Sequence, residues 1–275
     1  MGSIDKDTKV CVSISLKPGN FGAIVHNAAY EATGLNYIYK PFGVKPEDLE
    51  NAVNAIRVFN ICGCGVSMPY KGDVIKYLDK LDEGAKKIGA VNTIVNDNGI
   101  LTGYNTDYYG AKMALESMFN PEGKRVLIVG AGGAARAISL AAKDLGAKEI
   151  YIANRDNEKA ALLAKEFGLI KSDFKEIQNL KAELLVNATP VGMSPDTEKA
   201  IIEAPSLKNF KALLDVITAP PETRLMKNAK KVGLVVIPGH LMSLHQAAKQ
   251  FELYTEKAAP LEAMRESLKT LLGVK

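Results

Sequence analysis

The sequence predicts a two-domain α/β protein, an N-terminal α/β domain followed by a doubly wound domain built on a parallel sheet. Three observations carry this prediction. Strand-like and helix-like stretches alternate from Val10 onward, and the breaker cluster Asn120-Pro121-Glu122-Gly123 divides the chain. The strands after that cluster are unbroken apolar runs, as expected of a sheet covered on both faces. A length of 275 residues is enough for two modest cores.

In the first domain Val10–Leu16 reads as a strand and Phe21–Thr33 as a helix ended by Gly34. Asn36–Phe42 is a second strand. Pro46, Glu47 and Asp48 open a helix that runs to about Phe59, because proline fits a first turn and acids favour its dipole there. Gly63–Met68 is a short third strand. Val91–Val95 and Ile100–Tyr104 flank Asp97-Asn98-Gly99, and Asn-Gly between two apolar runs signals a hairpin.

In the second domain Arg125–Val129 is a strand, followed by a Gly-rich turn and a helix to about Leu145. Glu149–Ala153 is the next strand and Asn157–Phe167 the next helix. Further strands fall at Leu184–Asn187, Leu213–Ile217 and Leu234–Ile237. From Leu241 the pattern is helical to the end, with Pro260 between two helices that are expected to pack on the first domain. The expected division is therefore 1–106 with 241–275, and 107–240.

Composition excludes several classes. Hydrophobic residues at 47% and charged residues at 24% describe a folded chain rather than a disordered one. A net charge of +4, spread evenly, does not make a nucleic-acid surface. No apolar run is long enough to span a bilayer, so no membrane partner is expected. Asp5, Lys6 and Asp7 replace the apolar region a signal peptide needs. Met1-Gly2 resembles the start of a myristoylation site, but Lys6 stands where Ser or Thr belongs. The odd set Cys11, Cys62 and Cys64 points to reduced thiols and a cytoplasmic protein, and Cys62 with Cys64 alone makes no metal site.

The turn Gly130-Ala131-Gly132-Gly133-Ala134-Ala135 fits G-x-G-x-x-G/A, with a strand before it and a helix after it. Gly130 permits the tight turn, Gly132 lets the backbone approach a pyrophosphate, and Ala135 keeps helix and strand close. This marks a Rossmann-like, dinucleotide-binding second domain. The next strand ends Ala153-Asn154-Arg155-Asp156. Arg155 suits the 2′-phosphate of NADP(H), which is the favoured cofactor. Asp156 suits the ribose hydroxyls of NAD(H), and equally a helix N-cap.

Lys71 follows Gly65-Val66-Ser67-Met68-Pro69-Tyr70, and Asp107 ends Gly103-Tyr104-Asn105-Thr106-Asp107. With Gly89-Ala90-Val91-Asn92-Thr93, Asn154-Arg155, Asn187-Ala188-Thr189-Pro190-Val191-Gly192-Met193, Gln246-Ala247-Ala248 and the early His26-Asn27-Ala28-Ala29-Tyr30, these segments occur in the order and spacing of one family. Across nearly its whole length the chain resembles the shikimate dehydrogenases. The resemblance implies a substrate domain rejoined by the C-terminal helices, a cofactor domain, and a cleft between them. It implies oxidation of a ring hydroxyl of shikimate, or of a related hydroxy acid, with NADP(H), and a place in aromatic amino acid biosynthesis. It also implies a monomer or homodimer whose partner is the small-molecule substrate alone.

Carried over residue by residue, the resemblance makes Lys71 and Asp107 the catalytic dyad. A lysine amine can take the hydroxyl proton as hydride leaves, and return it in reverse. Ser67, Asn92 and Gln246 would bind substrate. Gly130, Ala131, Gly132, Gly133, Ala134, Asn154, Arg155, Thr189, Val191, Met193 and Gly239 would bind cofactor. His240, after Gly239, is a further candidate for contact with cofactor or substrate.

The departures cluster around the substrate. The family's Ser-x-Ser pair, which holds the substrate carboxylate, is Asn20 and Gly22 here, and the Asn of its Asn-Val-Thr is Gly65. Thr218 stands where a Tyr is expected. Ser13 or Ser15 on the first strand, Lys17 and Asn20 are the candidates to replace the missing hydroxyls. Two other readings follow from these features: an NAD-using quinate/shikimate-type enzyme, argued from Asp156, and a cofactor-binding regulatory protein with little turnover.

Overall fold

A computed structural model describes residues 4–273, and the Met1-Gly2 segment lies outside the described residues. The chain divides into two compact units, one running to Thr106 and resuming at Gln246, the other Asp107–His245.

The first unit contains β1 (Lys9–Ser15), α1 (Phe21–Thr33), β2 (Tyr37–Gly43), α2 (Leu49–Val58), β3 (Gly63–Val66), β4 (Lys80–Leu81), α3 (Glu83–Ile88), β5 (Thr93–Asp97) and β6 (Ile100–Tyr104). Its sheet has the order β2-β1-β3-β5-β6-β4. β1, β2 and β3 are parallel, whereas β5 runs antiparallel to both β3 and β6. Asn98 and Gly99, both at positive φ (49° and 91°), make the two-residue turn of the β5–β6 hairpin. That hairpin starts at Thr93 rather than Val91, because the Val91 amide is drawn to the Lys71 carbonyl at 2.7 Å.

Alternation along β1 separates two faces. Val12 and Ile14 join Val53 and Ile56 of α2 and Val66 of β3 in a buried apolar cluster. Cys11, Ser13 and Ser15 point to the opposite face, where an aromatic group gathers. There His26 stacks on Tyr39 with centroids 4.4 Å apart, and Tyr30 packs against Phe251 at 5.5 Å.

The second unit contains α4 (Thr106–Met118), β7 (Arg125–Val129), α5 (Gly133–Asp144), β8 (Glu149–Ala153), α6 (Asn157–Phe167), β9 (Ile170–Lys171), β10 (Leu184–Asn187), β11 (Ala212–Asp215), α7 (Arg224–Lys231) and β12 (Val235–Pro238). All its strands are parallel, in the order β12-β11-β10-β7-β8-β9. The order reverses between β7 and β10, the doubly wound arrangement whose ligands bind beyond the carboxyl ends of the strands. The central strand β7 is apolar on both sides: Val126 and Ile128 enter one core with Ile138, and Leu127 and Val129 enter the other with Leu225.

Two helices complete the chain, α8 (Gly239–Thr255) and α9 (Leu261–Leu272). α8 begins at Gly239, earlier than the pattern from Leu241 suggests, and the first unit resumes within it at Gln246. Thr223 caps α7, accepting from the Met226 amide at 3.1 Å. Thr106 at the start of α4 is instead held from a distance, its amide donating 2.7 Å to the Asn92 side chain.

Candidate active site

In the first unit the carboxyl ends of β1 and β3, the start of α1 and one face of α8 enclose a pocket of about 230 Å³. Pockets for drug-sized ligands hold roughly 300–1,000 Å³, so this one suits a small ring acid. Lys71, Asn92, Ser15, Ser67 and Gln246 all line it. A larger hollow of about 480 Å³ beside Glu31, Asn36 and Tyr37 contains none of the residues expected to bind substrate.

Backbone ties fix the pocket wall. The Val66 amide donates to the Asn92 carbonyl at 2.7 Å, and the Ser67 amide to Ile14 at 3.0 Å. Lys71 follows four residues later on a segment anchored by buried Tyr70, whose hydroxyl donates to the Val44 carbonyl. Asn92 is almost fully buried. Its Oδ1 accepts from the Thr106 amide (2.7 Å), Thr93 Oγ1 (2.8 Å) and Thr106 Oγ1 (3.2 Å). Three donors fix the orientation of the amide, with Oδ1 as its accepting end.

Sequence reasoning missed Gln250, which also lines the pocket. Its Nε2 donates to Thr93 Oγ1 (2.9 Å) and the Asn92 carbonyl (3.2 Å), which turns Oε1 towards His26 Nε2 at 3.3 Å. His26 therefore carries its proton on Nε2, and burial pushes its pKa down to about 4. The available signal was spacing, since Gln250 lies one turn beyond Gln246 on the same face of α8. The structure does not bring Asn20 into this group. Asn20 precedes α1 without capping it through its side chain, and borders a separate depression with Ile24 and Thr270. Asp107 is buried in the first turn of α4, the first residue of the second unit.

In the second unit the residues proposed for the cofactor gather at the carboxyl edge of the sheet. Gly130 follows β7 at φ +123°, and a Cβ there would lie 2.6 Å from the Ala188 carbonyl oxygen, so only glycine fits. Gly132 precedes α5 and faces open space. The first-turn amides of α5 have no acceptors within the helix, which suits a pyrophosphate at the Gly130–Ala134 cradle. Asn154 and exposed Arg155 follow β8. Asp156 caps α6, accepting from the Glu158 and Lys159 amides, both at 3.1 Å, and these bonds hold its carboxyl below the usual range.

Beyond β10, Asn187 Oδ1 accepts from Thr189 Oγ1 (2.7 Å) and the Thr189 amide (3.1 Å), and Asn187 Nδ2 donates to the Val191 carbonyl (3.2 Å). These bonds shape the turn that carries Thr189, Val191 and Met193. Asn187 Nδ2 also donates to Asp215 Oδ1 at 3.0 Å, while Asp215 Oδ2 accepts from Thr223 Oγ1 at 2.6 Å. Burial pushes Asp215 up to about 6 against the pull of these donors. Gly239, after β12, approaches the Val216 backbone so closely that a Cβ would meet it at 2.4 Å. His240 is the second residue of α8, and burial, aided by the charge of Lys230, lowers its pKa.

Among the described residues no helix is long and apolar enough to cross a membrane, and no group of three His, Cys, Asp or Glu side chains could hold a metal.

Sheet order and glycine cradle define a Rossmann-like dinucleotide-binding protein. Family models match in three consecutive parts: the shikimate dehydrogenase substrate binding domain over residues 20–94, shikimate / quinate 5-dehydrogenase over 111–220, and the shikimate 5′-dehydrogenase C-terminal domain over 239–269. A shikimate dehydrogenase (NADP(+)) of Methanopyrus kandleri is 40% identical, covering 97% of each chain. A shikimate dehydrogenase-like protein of Haemophilus influenzae is 36% identical, covering 96% of this chain and 97% of its own. A crystal structure of a shikimate dehydrogenase in complex with NADP+ matches with a TM-score of 0.91 at 37% identity, covering 98% of each chain. The chain belongs to the shikimate dehydrogenase family, oxidoreductases that act on a CH–OH group.

Proposed function

We propose that this protein interconverts shikimate, or a closely related hydroxylated ring acid, with its 3-dehydro ketone using NADP(H). The observation that carries this reading is a small polar pocket with Lys71 and Asn92 in a chain that also builds the Gly130 cradle. The first unit, with the C-terminal helices, acts as the substrate domain, and the second as the cofactor domain.

In the oxidising direction the substrate's carbinol C–H bond breaks with its electron pair, and the O–H proton leaves as the C=O bond forms. The bound nicotinamide supplies the hydride acceptor. Lys71 takes the proton at Nζ and returns it when the ketone is reduced. Asp107 has its place in the dyad from the family motif. Asn92, fixed by its three donors, binds a substrate hydroxyl, and Gln246, Ser15 and Ser67 bind the remaining oxygens. The Gly130–Ala134 turn and the α5 amides would hold the pyrophosphate, and Arg155 the 2′-phosphate. Asn154, Thr189, Val191, Met193 and Gly239 would border the rest of the cofactor. NADP is preferred because the carboxylate of Asp156 is already committed to the α6 amides. Three free thiols, Cys11, Cys62 and Cys64, fit a reducing, cytoplasmic setting.

Nicotinamide absorbance, followed with shikimate and quinate against NADP+ and NAD+, tests the reading. Shikimate with NADP+ is expected to be the fastest pair. A preference for quinate with NAD+ would replace it with the quinate-type reading. NADP+ binding without turnover of either acid would make the protein a regulatory cofactor binder.

A further inference from the structure

Tyr39 is a pocket side chain that the proposed mechanism does not use. Tyr39 of β2 is 5% exposed and lines the pocket together with Gly22 and Gly65. Its ring reaches from β2 across β1 to β3. A Cβ at Gly65 would lie 2.7 Å from the Tyr39 hydroxyl oxygen, and a Cβ at Gly22 would lie 2.9 Å from ring atom Cε1 and 3.2 Å from that oxygen. Two glycines on separate elements thus form a slot that admits this one phenol. Contacts under 3 Å against a ring wedged between backbone elements cannot be relieved cheaply.

The phenol is also held still. His26 stacks on it with planes 6° apart. Asn27 clamps the Tyr39 backbone from both sides, Oδ1 accepting from the amide at 2.8 Å and Nδ2 donating to the carbonyl at 3.0 Å. Ser13, another residue of the pocket wall, lies beside the hydroxyl, since a Cβ at Gly65 would meet both. Burial raises the phenol's pKa, so the group stays a neutral O–H donor. A rigid, neutral donor on a pocket wall costs little ordering entropy on binding.

We propose that the Tyr39 hydroxyl is a substrate-binding group that donates to an oxygen of the hydroxy acid, and that Gly22 and Gly65 are the space it requires. It occupies the volume that side chains at positions 22 and 65 would take, and so decides which ring acids fit. The inference rests on the dehydrogenase reading above.

Tyr39→Phe removes the hydroxyl and keeps the ring, the stack and both backbone clamps. The expected result is a rise of about tenfold in KM for shikimate, the size of one hydrogen bond to an anionic ligand. KM for NADP+ should stay within about twofold. Gly65→Ala should lower both Tm and shikimate affinity, and its Tm penalty should shrink in the Tyr39→Phe background, where the atom it meets is gone. An unchanged KM for shikimate in Tyr39→Phe overturns the inference while leaving the dehydrogenase reading intact. A Gly65→Ala penalty on Tm that is equal in both backgrounds overturns the slot. Failure of the unaltered protein to bind or oxidise shikimate overturns the dehydrogenase reading itself, and the inference with it.

Discussion

Gly130 and Ala188 approach so closely that a Cβ on the first would stand 2.6 Å from the carbonyl oxygen of the second. The approach joins the turn after β7 to the segment after β10, the two strands at which the sheet order reverses. Gly130→Ala therefore combines a steric clash with a φ of +123°. The cost should be on the order of 1–3 kcal/mol in stability. KM for NADP+ should rise more than KM for shikimate. Thermal unfolding and steady-state kinetics on one preparation check both, and an unperturbed KM for NADP+ would count against the cradle.

Asp156 accepts from two amides at the start of α6, whereas the side chain of Arg155 is exposed beside it. Arg155→Gln should weaken NADP+ by about tenfold or more and leave NAD+ nearly unchanged, because only NADP+ has the 2′-phosphate. Asp156→Ala should cost about 1 kcal/mol of stability as a lost cap, without moving the preference towards NADP+. Titrations of both variants with the two cofactors separate these roles. A gain in NADP+ selectivity in Asp156→Ala would show that the carboxylate reads the ribose.

Asp215 and His26 should act on stability with opposite signs. Asp215 titrates near 6 when folded against an ordinary 3.8, so the folded state binds the extra proton and gains as pH falls through 6. Between pH 7 and 5 the gain is about 1 kcal/mol. His26 titrates near 4 against an ordinary 6.5, so the unfolded state binds the extra proton and the folded state loses by about 2 kcal/mol over the same range. Chemical denaturation of the wild type, Asp215→Asn and His26→Gln at pH 7 and 5 checks this. Wild type should gain relative to the first variant on acidification and lose relative to the second. The reverse order would contradict the burial of these groups.

The second unit was largely legible in the sequence because local signals sufficed there. Short apolar runs such as Arg125–Val129, bounded by turn signals, read as strands covered on both faces, and the glycine turn reads as following one of them. Non-local structure was not legible. Asn92, fourteen residues away, holds the start of α4 through the Thr106 amide. Gln250 reaches Thr93 from the far end of the chain. Nothing in the sequence around Tyr39 reports that Gly22 and Gly65 make room for it. Asp215 did leave a trace, as an acid closing the apolar run Ala212-Leu213-Leu214. Motif position does not fix on which side of the α1 start the Asn20 side chain lies.

The central claim is that Lys71 moves a proton for an NADP-linked oxidation of a ring hydroxyl. The most direct test compares shikimate-dependent NADP+ reduction by the wild type and Lys71→Ala, with NADP+ binding measured on both. The account predicts rapid reduction by the wild type, a loss of at least about 100-fold in kcat for Lys71→Ala, and equal NADP+ affinity. Turnover by Lys71→Ala at the wild-type rate would contradict it.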